Sequence, residues 1–228
     1  MSITRAPASF DTHDMVVVHR VFRREFALLP AMVRAVPPGD TRRAAVIAAH
    51  AREMINVLTH HHSAEDDFLW PRLRHRADLE AGLVERMEIQ HERMAEILGP
   101  AGQVLEPWSR TADAQTQDRL AALLSQLPAA LNKHLADEEA HILPVTADVL
   151  TAAEWQQLAR RGMTSVTKPR LAVFLGHLLE ETDPSERAAF LRHVPLPGRA
   201  AYRVIGRRRH AREIAAQRHG IDAFSRGD

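Results

Sequence analysis

The chain predicts an all-α protein, an up-down-up-down four-helix bundle followed by a C-terminal helical extension. Three observations carry this. Apolar residues recur at three- and four-residue steps along most of the 228 residues. No run alternates polar with apolar residues as a half-buried strand would. Glycine, which weakens helix interiors, occurs only 10 times.

The elements follow in order. A first helix is expected from Asp11 to Ala35, stopped by Pro37-Pro38-Gly39. A second starts near Asp40-Thr41 and reaches His75; a third runs from Asp78 to Leu105. Pro107 and the polar stretch Ser109–Gln117 read as a loop, and a fourth helix continues to Val149. Residues 11–149 thus form one bundle-sized unit, and 150–228 form the extension. In the extension, Thr151-Ala-Ala-Glu154 is a capping box, Leu171–Glu181 is helical, and Asp183-Pro184-Ser185-Glu186 opens another helix. Pro195 and Pro197 precede a last, arginine-rich helix over Arg199–Arg218.

Composition narrows the chemistry. Hydrophobic residues make up 45% and charged residues 26%, ordinary for a folded globular protein. With no cysteine, disulfides, thiolate metal sites and cysteine nucleophiles are excluded. No apolar run is long enough for a transmembrane segment, no secretory leader is evident, and a cytoplasmic protein is expected. Fourteen histidines without cysteine favour metals that accept imidazole and carboxylate. The net charge of +1 conceals an asymmetry: from Ser185 onward there are ten arginines against four acids, leaving 20 basic and 25 acidic residues before it. Arg207-Arg208-Arg209 could meet nucleic acid or an acidic partner; docking of a basic helix on the acidic body is preferred, with Tyr202, Val204 and Ile205 as its apolar face.

The apolar stripes carry an unusual set of polar residues. His61-x-x-x-Glu65 and His134-x-x-x-Glu138 repeat one phrase, each with a proline ten residues after its histidine (Pro71, Pro144). Residues four apart share a helix face, so each pair sits on the core side. His19 and His91 lie on the stripes of the first and third helices. A buried, unpaired carboxylate is costly, and four imidazoles with two carboxylates satisfy one another only if cations lie between them. Six ligands suit two ions of the iron or manganese type better than one tetrahedral zinc. His50, also on a stripe, reads as a hydrogen-bonded core histidine.

The order His19, His61-x-x-x-Glu65, His91, His134-x-x-x-Glu138 resembles the hemerythrin-like, or HHE cation-binding, domain over residues 11–149. The runs Glu65-Asp-Asp-Phe-Leu-Trp-Pro71 and Glu138-Glu-Ala-His-Ile-Leu-Pro144 share the family's acidic-apolar-proline text. The resemblance implies two non-haem iron ions held by His19, His61, Glu65, His91, His134 and Glu138, with the glutamates bridging beside an oxo, hydroxo or water bridge. It departs from oxygen-carrying hemerythrins at Ala95, where they have a further histidine. His141, one turn beyond Glu138, is the best replacement by stripe position, ahead of His62, His60, His13 or a water. Glu139 and Asp66 are expected around the site rather than in it.

Three function classes follow. One is a di-iron protein that binds or processes O2 or hydrogen peroxide, with catalase-like peroxide consumption as its enzymatic form. Another is a module that senses or binds oxygen, nitric oxide or iron without turnover. The third is a structural helical protein with buried histidines. No phosphate-binding glycine loop, Gly-x-Ser-x-Gly or His-Glu-x-x-His motif offers other machinery, and no catalytic residue is expected apart from the metal ligands.

Overall fold

A computed structural model describes residues 10–77 and 82–221, and every regular element among them is helical. α1 (His13–Arg34) ends before the prolines at 37 and 38. α2 (Thr41–Ala64) is capped by Asp40, whose side chain accepts from the Arg43 amide. It passes through a π-helical turn (Glu65–Leu69) into α3 (Trp70–Arg76). The expected start of the third helix, Asp78, lies outside the described residues; α4 begins at Leu83, after Gly82 in the left-handed region.

The third helix is longer than expected. α4 runs Leu83–Thr111 with Pro100 and Pro107 inside it. Each proline removes one backbone donor. The buried stripe nevertheless continues through Val104, Leu105 and Trp108, and that burial outweighs the lost bonds. The expected loop over 109–117 therefore shrinks to Ala112-Asp113. Ala112 adopts φ 47°, and Asp113 caps α5 (Ala114–Leu124) by accepting from the Thr116 amide at 2.8 Å. The expected single fourth helix is interrupted at Ser125-Gln126. α6 (Leu127–Asp137) starts there with Pro128 in its first turn, where a missing N–H costs little. A second π-helical turn (Glu138–Ile142) leads into α7 (Leu143–Val149).

The extension is helical as well: α8 (Ala152–Gly162), α9 (Lys168–Leu179), α10 (Pro184–His193), α11 (Leu196–Ala201), a third π-helical turn (Tyr202–Gly206) and α12 (Arg207–Gln217). Thr151 and Glu154 form the reciprocal capping box ahead of α8. Phe174, Leu175, Leu178 and Leu179 of α9 join the same apolar cluster as Phe22, Met54, Met94 and Leu131. Val204 and Ile205 are exposed, contrary to the docking expected of them, as are Arg207, Arg208 and Arg209. Tyr202 of the same expected face does pack on the apolar core, and α12 is held by buried Gln217, by Glu213 paired with Arg170, and by Arg218 just past its end.

The core falls into two apolar clusters. One contains Phe26, Leu29, Leu58, Met94, Leu124 and Leu135; the other contains Met15, Ala64, Phe68, Met87 and Ile142. Every long helix crosses from one to the other. α1 leaves the second at Met15, α2 enters it at Ala64, α4 leaves it after Met87, and the α6–α7 run enters it at Ile142. The gap between the clusters, on all of these elements, is filled by histidine and glutamate.

Candidate metal centre

His19, His61, Glu65, His91, His134 and Glu138 all face this gap and are at least nine-tenths buried. The structure brings all six together and adds His62. Two sets have ligand atoms within 4.8 Å of one another: His19, His61, Glu65 and Glu138 in one, and His62, His91 and His134 in the other. The glutamates join the sets. Glu65 places Oε1 3.1 Å from His61 Nε2 and Oε2 3.5 Å from His91 Nε2. Glu138 Oε2 lies 3.3 Å from His19 Nε2 and 3.8 Å from His134 Nε2.

The surrounding polar groups fix which nitrogen faces inward. His19 Nδ1 donates to Glu139 (2.8 Å), His91 Nδ1 to Asp66 (2.7 Å) and His134 Nδ1 to the Gln90 amide oxygen (3.1 Å). These acceptors are held in turn: Glu139 by Arg23, Asp66 by the Trp70 indole, and Gln90 by Asp137. With the proton on Nδ1, the Nε2 lone pairs of all three histidines point into the gap.

The interior of the gap is unsatisfied. Both oxygens of Glu65 and of Glu138, and Nε2 of His19, His61 and His62, are buried without a hydrogen-bond partner. The Nε2 atoms of His91 and His134 face each other at 3.2 Å. Two lone pairs aimed at each other repel, and each orphaned buried polar group costs about 1–3 kcal/mol. Imidazole nitrogens and carboxylate oxygens converging on shared points are the donor set that divalent first-row metals accept, so these residues fit a cation.

The charges inside the gap agree. Burial, with the Glu138 and Asp66 carboxylates nearby, pushes the Glu65 carboxyl well above the usual range. Burial also raises Glu138, but His19, His134 and His61 outweigh it and hold it at about 2. Burial and the neighbouring histidines lower His61 to about 3 and His62 well below its ordinary value. Burial lowers His134 to about 4. For His19 burial acts downward, but Glu138 and Glu139 prevail and raise it. His61, His62 and His134 are therefore neutral at pH 7, the form that binds metal.

His141 does not reach the gap. It is exposed, on the outer side of the second π-helical turn. Its stripe position assumed 3.6 residues per turn. The wider turn after Glu138 rotates position 141 outward and buries Ile142 instead. His60 bonds the Asn56 carbonyl, His13 pairs with Glu186, and both are exposed. Of the alternatives, His62 is the one that joins the converging residues, its ring stacked on His91 at 4.1 Å between centroids. Stripe position ranks it behind His141 because it neighbours His61. The π-helical turns did have a sequence signal. Each begins at the glutamate of a repeated phrase and ends two residues before its proline, whose ring would strike the carbonyl four residues back in a regular helix.

The family model for the hemerythrin HHE cation-binding domain matches residues 11–149. The chain belongs to this family. The hemerythrin match spans all the converging residues, from His19 to Glu138. No curated protein and no solved structure matches the chain. Among the described residues of this hemerythrin-family protein, no helix is long and apolar enough to cross a membrane.

Proposed function

We propose that this protein holds two non-haem iron ions between its apolar clusters and uses them to bind or process O2 or hydrogen peroxide. The observation that carries this is the set of orphaned atoms: four carboxylate oxygens and three imidazole nitrogens, buried and unpartnered around common points. His19 and His61 would hold one ion, His62, His91 and His134 the other, and Glu65 and Glu138 would bridge them. The bridging role is supported because each glutamate approaches a histidine of both sets. The order in which successive helices cross between the apolar clusters supports the up-down-up-down bundle for residues 11–149. Residues 150–228 serve as an extension whose α9 completes the wall of that bundle.

When bound, such an ion pair supplies redox change and an open coordination position for a small ligand. The chain supplies the rest. Glu139, Asp66 and Gln90 keep three imidazoles in the tautomer that presents Nε2. Phe22, which packs against the His61 ring at 5.1 Å, and Trp70, at 5.9 Å from His91, keep bulk water from the ligands. A second reading, sensing of oxygen, nitric oxide or iron without turnover, uses the same site. Metal analysis with an absorption spectrum tests the metal, and peroxide turnover separates the readings. About two irons per chain with an oxidant-sensitive visible band is expected. Purified protein that stays metal-free after anaerobic incubation with ferrous iron would overturn the proposal.

A further inference from the structure

Between the bundle face and the extension lies a cavity of about 560 Å³, within the size range of small-molecule sites. Its walls are apolar and aromatic, with Phe22, Trp155, Leu158, Phe174 and Phe190 among them. It reaches His61 on the side away from Glu65; Gly162, at the end of α8, lies over that face, and a Cβ there would sit 3.9 Å from His61 Nδ1. The lining charges are few. Arg160 and Lys168 are exposed, and neither has a carboxylate within ion-pair distance among the described residues. The acid in the lining, Asp14, accepts from the Trp155 indole at 3.1 Å, and burial raises its pKa.

An apolar chamber this large next to unpaired cations matches a particular ligand chemistry. Arg160 and Lys168, with His193 also in the lining, outnumber Asp14, whose carboxyl burial pushes toward the neutral form, so the rim is net positive and suits an anionic headgroup. A carboxylate on an apolar tail fits this pairing of a cationic rim with apolar walls. A water-filled chamber would need polar partners for its waters, and the aromatic walls offer few. A long, flexible tail suits a cavity of this volume whose lining includes Trp155 and His61 as well as the two exposed cations. We propose that this cavity binds a long-chain monocarboxylate, its headgroup at Arg160 and Lys168 and its tail among Phe22, Trp155 and Phe174 beside His61. The inference rests on the cavity and its charges and needs no metal, so it stands or falls separately from the iron proposal.

Full-length protein, with its metal content recorded, is titrated with dodecanoate by calorimetry and with 12-bromododecanoate by tryptophan fluorescence. Bromine quenches an indole it touches, and of Trp70, Trp108 and Trp155 the last lines the cavity. Saturable one-to-one binding is expected, with quenching that disappears in Trp155→Phe. Joint reversal of the exposed cations (Arg160→Glu with Lys168→Glu) should weaken dodecanoate roughly tenfold and leave dodecanol unchanged. Gly162→Leu, which fills the space beside His61, should weaken both. Absence of saturable binding would overturn the proposal. So would dodecanoate affinity indifferent to the charge reversal, quenching that survives Trp155→Phe, or equal binding of dodecyltrimethylammonium. The charge-reversed residues are exposed, so that comparison holds even if Gly162→Leu fails to fold.

Discussion

The molecule buries histidine and glutamate together in two places, and the two clusters balance their charge in opposite ways. Around Glu25, the carboxylate oxygens are taken by protein partners, although both ring nitrogens of His177 are buried without a hydrogen bond. His50 donates to Glu25 at 3.0 Å, Arg24 and Arg218 reach it at 2.8 and 3.0 Å, and His177 lies 3.4 Å away. Glu180, near His177 and His210, is taken by Arg218 and Arg24. Around Glu65 and Glu138 no arginine pairs with either carboxylate among the described residues, and the carboxylate oxygens have no hydrogen-bond partner there. The same residue types thus give carboxylates paired by arginine in one place and carboxylates without a hydrogen-bond partner in the other. The cation is guanidinium in the first; in the second the proposed metal ions would supply it. Residue composition alone cannot separate a metal site from a polar clamp, but the presence or absence of buried arginine can.

The largest expected effect lies in the closed cluster. Glu25→Ala would leave His50 and Arg218 buried without their partner, at a cost of about 3–5 kcal/mol, read as a lower midpoint in thermal or urea melts. Metal content should not change. The same cluster sets a pH limit. Burial pushes Glu25 up, but His177, His50 and Arg24 prevail and hold its carboxyl well below its usual range. A depressed carboxylate contributes stability that is fully present above the unfolded value of about 4.3 and is lost as pH falls below it. Stability measured from pH 7 downward should therefore fall below about pH 4.3 in the parent and fall less in Glu25→Gln.

The open cluster should respond in metal affinity instead. Asp66→Asn weakens the acceptor that holds His91 Nδ1 and should lower metal affinity roughly 10- to 100-fold in a chelator competition, with a small change in melting. A smaller effect on stability is expected where α9 meets the third π-helical turn. A Cβ at Gly206 would strike the Ala172 carbonyl, so Gly206→Ala should cost about 1–3 kcal/mol in melts while leaving metal content intact. The smallest effect sharpens the contrast most. Burial, then the Glu138 and Asp66 carboxylates, push the Glu65 carboxyl well above its usual range, toward the neutral acid that glutamine mimics. Glu65→Gln should therefore change the stability of metal-free protein by less than about 1 kcal/mol, yet abolish one bridge and most of the bound metal.

Much of this was legible in the sequence, for physical reasons. Period-3.6 stripes and Asp or Thr caps mark α1, α2 and α8 because helix ends and buried faces are local features. The six spaced residues are legible because one turn of helix fixes a histidine and a glutamate on one face. Three things were not. Trp108 carries α4 past Pro107, since tertiary burial outweighs a local penalty. The π-helical turn after Glu138 rotates His141 to the surface, and His62, which stripe position ranks behind it, takes its place among the converging residues. His50 reads as a core histidine from the sequence, but its partner Glu25, and Arg218 on that same carboxylate 168 residues from His50, follow from no local pattern.

Anomalous scattering at the iron edge, from crystals of iron-loaded protein, tests the contrast most directly. Two peaks are expected between the apolar clusters, within about 2.0–2.2 Å of Nε2 atoms of His19 and His61 for one ion and of His91 and His134 for the other, a bond length borrowed from imidazole–metal sites. Peaks at His177 and His210 instead, or none among the seven converging residues, would contradict the assignment of the open cluster as the metal centre.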